Sequence, residues 1–171
     1  MVESLGTLLR ATLSNKKPLV SLDYEIGLAG SYMTIQKIRF EDRLLFHVEC
    51  PEELGKALIL PLTIQPLLEN AIRYGMEEMM DTCEISIRTR KEGTLLIVEV
   101  SNEGSVFEDS LLEKLQDGTK NAHGFGIGLV NIHQRIQMLF GESYGLSFKN
   151  QDEKAIAIIT IPYKTEEDDY A

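Results

Sequence analysis

Two stretches carry residue types that could do chemistry together. In Gln65-Pro66-Leu67-Leu68-Glu69-Asn70-Ala71-Ile72-Arg73-Tyr74-Gly75, a carboxylate, a primary amide and a guanidinium lie close in sequence. Further on, Gly124, Gly126 and Gly128 alternate in His123-Gly124-Phe125-Gly126-Ile127-Gly128-Leu129-Val130-Asn131. A carboxylate such as Glu69 can polarise a nucleophile or a water. The amide oxygen of Asn70 suits magnesium, which takes hard oxygen ligands and keeps several waters. Arg73 could hold Glu69 or meet a phosphate. The missing side chains at the glycines let main-chain N–H groups approach a ligand. The glycine run leads into a helix N-terminus, where orphan N–H groups and the dipole attract phosphate. Lys120, Asn121 and His123 add donors beside it. Each feature alone is weak, since polar helix edges are usually solvated and glycine runs are often turns. Together they describe a nucleotide site between a helix and a glycine lid.

The elements that must position these residues can be read from periodicity. Ile64, Leu67, Leu68, Ala71, Ile72 and Gly75 form one helical face, the one expected to be buried, and Gln65, Glu69 and Arg73 share another. Val2 to Leu13 reads as a helix, Ser14 to Pro18 as a break, and Ser21 as the cap of a helix running to about Phe40. In that helix Leu22, Ile26, Ala29, Met33, Gln36 and Ile38 follow the period, and Gly27 and Gly30 weaken it or mark close packing. Leu44–Glu49 is a first strand; Cys83–Arg90 and Thr94–Val100 form a hairpin. A short helix is expected at Ser110–Leu115, a mobile loop at Gln116–His123, and a helix at Gly128–Phe140 ended by Gly141. Ser147–Lys149 and Ala155–Ile161 make a last hairpin, and Thr165 to Ala171 an acidic tail without fixed structure. The order implies an α+β fold: a two-layer α/β sandwich with a mixed, mostly antiparallel sheet, preceded by a short helical segment.

Totals narrow the classes. With 171 residues, 43% hydrophobic and 26% charged, the chain suits one globular domain plus an appendage. A net charge of −10 argues against nucleic acid as a partner, because that needs a basic patch. Cys50 and Cys83 lack metal spacing and read as reduced, buried thiols. No apolar run reaches the length of a membrane span.

The Gln65 to Gly75 stretch resembles the asparagine box of two-component sensor histidine kinases, and Gly124 to Asn131, with Arg135 a turn later, resembles their second glycine box. The form Gln65-Pro66-Leu67-Leu68-Glu69-Asn70-Ala71, the segment Tyr32 to Leu44 and the opening Leu8 to Asn15 are similar to the LytS-like subfamily. The resemblance covers nearly the whole chain. It implies the ATP-binding fold shared by gyrase, Hsp90, histidine kinases and MutL, with ATP and Mg2+ as cofactors. It assigns Glu69 as general base and Asn70 as magnesium ligand. It also implies nucleotide contacts from Asn70, Arg73, Asn102, Gly104, Lys120, Gly124, Gly126, Gly128 and Leu129. The domains expected are the end of a dimerisation and linker region (1–40), the ATP-binding catalytic domain (41–164) and the acidic tail (165–171).

Two departures stand out. The family's first glycine box reads Asp-x-Gly-x-Gly, its Asp accepting the adenine amine. Here Val100-Ser101-Asn102-Glu103-Gly104-Ser105-Val106 aligns there, so an amide replaces the carboxylate and Val106 stands at the second glycine, where it is expected to crowd the nucleotide. An Asn oxygen still accepts a hydrogen bond but lacks the charge that strengthens it. In addition, the phosphoacceptor histidine is expected on an upstream helix outside this chain, and His47, His123 and His133 read as structural or surface residues. The resemblance implies a kinase domain that phosphorylates a histidine of the parent kinase for relay to a response regulator aspartate. The full-length protein is expected to be a homodimer and a membrane-bound sensor with this domain in the cytoplasm. The alternatives are a degenerate module of the same fold acting as a scaffold, and an ATPase or chaperone of the superfamily.

Overall fold

The computed structural model describes residues 18–77, 82–109, 111, 113 and 126–166. The expected helix at Val2–Leu13, the loop at Gln116–His123, Lys120 and Gly124 lie outside the described residues, as does the tail from residue 167.

The chain enters through a two-residue strand β1 (Val20–Ser21) and turns into helix α1 (Leu22–Phe40). Ser21 is the cap: its Oγ accepts from the Tyr24 N–H at 3.2 Å. Asp23 and Glu25 lie in the first turn, and Lys37 and Arg39 in the last, complementing both ends of the dipole. Strand β2 (Leu44–Glu49) follows, then a short strand β3 (Leu58–Ile59) that pairs antiparallel with β1. Helix α2 (Ile64–Ile72) ends in a π-helical turn at Arg73–Glu77. The hairpin β4 (Cys83–Glu92) and β5 (Leu95–Glu103), helix α3 (Gly126–Phe140) and the hairpin β6 (Gly145–Gln151) and β7 (Lys154–Pro162) complete the fold. The five-stranded sheet runs β2-β4-β5-β7-β6, with β2 parallel to β4 and every other pair antiparallel. This is the α+β sandwich expected from the sequence, with the helices on one face.

Alternation along the strands decides which side chains reach the helical layer. Leu96, Val98, Val100 and Asn102 of β5 occupy successive inward positions. Opposite them on β7 stand Ile161, Ile159, Ala157 and Ala155. Ile64, Leu67, Leu68, Ala71 and Ile72 of α2 are all buried against this face, as the helical period requires. Burying each large aliphatic side chain there contributes about 1.5–3 kcal/mol. The outer face is polar. Burial alone would raise the Glu99 carboxyl, but Arg90 at 2.9 Å and Lys149 at 3.3 Å hold it below the usual carboxylate range.

Several expectations are corrected here. On α1 the buried set is Leu22, Glu25, Leu28, Ala29 and Met33, whereas Ile38 is 54% exposed because the helix runs past the edge of the core. A methyl at Gly27 or Gly30 would meet nothing within 4 Å, so neither glycine marks close packing. Strand β5 extends three residues beyond the expected Val100. Thr165, expected in an unstructured tail, forms a bridge with Ala57, and Leu58 N–H donates to Lys164 O at 2.8 Å. Helix α1 contributes Leu22, Ala29 and Met33 to the same core as the sheet.

Helix α3 is fixed to the sheet by Leu129, Ile132, His133 and Ile136, all buried. The His133 ring packs on Gly145, whose φ of +145 and lack of a side chain leave the space. Its Nδ1 accepts from the Leu146 N–H at 3.0 Å. Burial holds this imidazole below its ordinary value. The unfolded chain therefore takes up the proton first as pH falls. Stability is complete above the ordinary histidine value of about 6.5 and declines below it until the folded ring also titrates. His133→Asn keeps an acceptor and removes the titration. Urea melts between pH of about 6.5 and 5 should show a smaller pH slope in that variant than in the wild type.

Candidate nucleotide site

The helical layer and the sheet meet at a small cavity lined by Leu67, Asn70, Ala71 and Tyr74 of the α2 segment, Val100 and Asn102 of β5, Phe107, Leu129 of α3, and Phe148 and Ala157. Its origin is legible in the strand register. Ala155 and Ala157 are opposite Asn102 and Val100, so the sheet surface is low just where α2 crosses it. Phe107 roofs the space and packs edge-on to Phe148, ring centroids 4.9 Å apart. Asn150 holds that roof from β6: its Oδ1 accepts from Phe107 N–H at 2.7 Å and its Nδ2 donates to Phe107 O at 2.8 Å.

The predicted residues that the structure describes fall in four places. Asn70, Asn102 and Leu129 come together at the cavity from three distant stretches. Asn102 is 4% exposed, and its Nδ2 donates to Ser105 Oγ at 2.7 Å and to Glu103 O at 3.1 Å. That leaves Oδ1 as its available acceptor. Asn70 is half-buried, and among the described residues no hydrogen bond holds its side chain. Glu69 and Arg73 lie on the adjacent exposed face of the helix, as their four-residue spacing requires. Glu69 Oε1 accepts from Gln65 Nε2 at 2.9 Å. Arg73 lies over the Tyr74 ring at 6.0 Å and makes no ion pair with Glu69. Gly104, with a φ of 78, sits in the turn after β5 on an open acidic surface shared with Asp152 and Glu153, outside the cavity. Gly126 and Gly128 stand in the first turn of α3 and are not part of a loop.

Val106, expected to crowd a nucleotide, is 68% exposed and does not line the cavity. Phe107, one residue on, takes the inward place because the turn through Gly104 and Ser105 reverses which side chain faces the core. Sequence reasoning missed Phe107, Phe148 and Tyr74. The signal available for Phe107 was its position just after a glycine turn at a strand end.

The residues fit a nucleotide and its magnesium by donor chemistry. Asn70 presents an uncommitted amide at the cavity rim, and Asn102 presents an acceptor inside it. No group of three or more metal-ligating side chains exists among the described residues. The volume fits less well. The cavity measures about 10 Å³, room for about one water, so a base does not fit it as it stands.

Comparison with known proteins follows the same lines. Residues 1–44 match a family described as histidine kinase, and residues 55–165 match the histidine kinase-, DNA gyrase B- and HSP90-like ATPase family. The sensor histidine kinase YesM of Bacillus subtilis is 41% identical over 167 residues, 97% of this chain and 28% of the relative. The sensor protein LytS of Streptococcus agalactiae is 29% identical over 170 residues, 97% of this chain and 29% of that protein. The chain thus spans little more than a quarter of the length of these relatives. A nucleotide-free catalytic domain of the histidine kinase ThkA shares the fold at a TM-score of 0.67 and 20% identity, over 85% of this chain and 96% of that one. No helix among the described residues is long and apolar enough to cross a membrane. Fold, matched segment and relatives agree, and the chain belongs to the family of histidine kinase-, DNA gyrase B- and HSP90-like ATPases.

Proposed function

We propose that this chain is the ATP-binding catalytic domain of a sensor histidine kinase, with the nucleotide held between α2, β5 and α3. The observation that carries this is the convergence of Asn70, Asn102 and Leu129 on one cavity. ATP supplies the phosphoryl group and magnesium neutralises its charge. Asn70 would hold the metal and Asn102 would accept from the base. Glu69 stands exposed one residue before Asn70, where it can take a proton from an incoming nucleophile. The first turn of α3, with Gly126 and Gly128, would offer its N–H groups to phosphate; Lys120 and Gly124 are assigned to phosphate, and Gly104 and Arg73 to the nucleotide, by the family resemblance alone. Catalysis of this kind rests on positioning and charge neutralisation.

The acceptor would be a histidine on the parent kinase outside this chain, as the resemblance implies; His47 lies on an edge strand, His133 is buried, and His123 lies outside the described residues. The parent would be a dimeric, membrane-bound sensor that relays phosphate to a response regulator aspartate. The test is to incubate the parent protein with γ-labelled ATP. Acid-labile, base-stable label on histidine supports the reading, and its absence sinks it. A second reading, a module of this fold that no longer binds ATP, is favoured by the Phe107 roof over a one-water cavity.

A further inference from the structure

Helix α2 carries Glu69 and Asn70, yet it has no cap of its own. Thr63 stands at its N-cap without a side-chain capping bond, and Thr63 Oγ1 donates instead to Leu60 O at 2.6 Å. The cap comes from another helix. Glu25 of α1, 1% exposed, accepts from Leu62 N–H at 2.7 Å through Oε1, and from Thr63 N–H at 3.0 Å and Ile64 N–H at 3.2 Å through Oε2.

The backbone is bent to make this possible. Leu62 has a φ of 58, a left-handed conformation that is costly for a leucine. The bend turns three successive N–H groups inward into a concavity suited to an anion, and the Glu25 carboxylate fills it. On the other side of the same turn, Arg135 of α3 donates from Nη2 to Pro61 O at 3.1 Å. Burial raises the Glu25 carboxyl, opposed by these three N–H groups and by the Arg135 charge. One short turn, Pro61 to Ile64, therefore joins α1, the start of α2 and the helix that follows the glycine run.

We propose that Glu25 is a positioning residue for the nucleotide site. Its carboxylate fixes where α2 begins, and so where Glu69 and Asn70 fall within the next two turns. With Arg135 bound to the same turn, it also sets the distance between Asn70 on α2 and Leu129 on α3. Displacement of α1 would thus reach both sides of the site through this carboxylate. The inference rests on the cavity being the nucleotide site.

The experiment compares the wild-type chain with Glu25→Gln, Glu25→Asp and a core control, Ile161→Val, at 25 °C. Calorimetric titration with magnesium and ATP reads the affinity, and amide hydrogen exchange reads the helices. Gln keeps the size but turns an NH2 group toward backbone donors; Asp keeps the charge but falls a methylene short. Glu25→Gln should stay folded and bind ATP roughly tenfold more weakly. Glu25→Asp should fall between it and the wild type, and Ile161→Val should bind as the wild type does. Exchange should rise in Glu25→Gln along both Ile64–Ile72 and Gly126–Phe140. Wild-type affinity in Glu25→Gln, or an equal loss in Ile161→Val, overturns the proposal. If the wild type binds no ATP, the functional reading fails and exchange alone decides. A joint rise in both helices supports Glu25 as their common anchor, and a rise confined to Leu62–Ile64 refutes it.

Discussion

Asn70→Ala should leave the chain folded and without measurable magnesium-dependent ATP binding, while Glu69→Gln should bind ATP normally and slow phosphoryl transfer in the parent kinase by about 10²–10⁴-fold. The two neighbours differ because the helix turns them to different surroundings. Asn70 faces the cavity rim, half-buried, and among the described residues its side chain bonds to nothing. Its removal costs the fold no more than about 0.5 kcal/mol, as for other substitutions without structural partners. Its absence takes away the hard oxygen that suits magnesium. Glu69 is exposed and, among the described residues, held only by Gln65, so Gln in its place keeps the surface and loses the proton acceptor. Titration calorimetry on the chain and phosphotransfer assays on the parent separate the two effects. Unchanged affinity in Asn70→Ala would refute its assignment, and unchanged turnover in Glu69→Gln would refute the general base.

Gly75→Ala should destabilise the chain by about 1–3 kcal/mol, the cost of overpacking a close contact. Gly75 is buried in the π-helical turn, where α2 passes over the start of β4. A methyl there would sit 2.5 Å from Cys83 Sγ and 3.3 Å from Asn102 Nδ2. Cys83 is itself buried, with its thiol directed to Glu103 O at 3.5 Å, so it has little room to withdraw. The thermal midpoint should drop by roughly 2–4 °C for each kcal/mol at this size. Adding Cys83→Ala should recover most of that loss, because it removes the atom in conflict. A double-mutant cycle reads the coupling directly. The same clash presses on Asn102, so Gly75→Ala should also weaken ATP binding. An unchanged midpoint would mean that the thiol rotates away freely.

The parts of this molecule that were legible in sequence are those governed by one element at a time. The α2 stripe from Ile64 to Ile72, the Ser21 cap and the two antiparallel hairpins follow from local period and turn chemistry, and the structure shows each of them. What sequence reading lost depends on partners distant along the chain. Glu25 falls on the buried face of α1, where a carboxylate looks like an error until the bare N-terminus of α2, 37 to 39 residues later, is placed against it. Asn102 reaches the cavity only because β5 continues past Val100 in register with Ala155 of β7. The Phe107 roof depends on Phe148 and Asn150, more than 40 residues downstream. The four-residue spacing of Gln65, Glu69 and Arg73 placed Glu69 on the exposed face, but the motif could not show that Asn70 lines a cavity with Asn102 and Leu129.

This chain should hold ATP with magnesium despite Asn102 and the small cavity beneath Phe107. The most direct measurement is thermal unfolding of the wild-type chain with ATP, in the presence and absence of magnesium. Ligand at a hundredfold its dissociation constant adds about 2.7 kcal/mol. At roughly 2–4 °C per kcal/mol, this raises the midpoint well beyond measurement error. The midpoint should rise in this way with magnesium and much less without it. No rise at millimolar ATP would contradict this and identify the chain as a module of this fold that has lost its nucleotide.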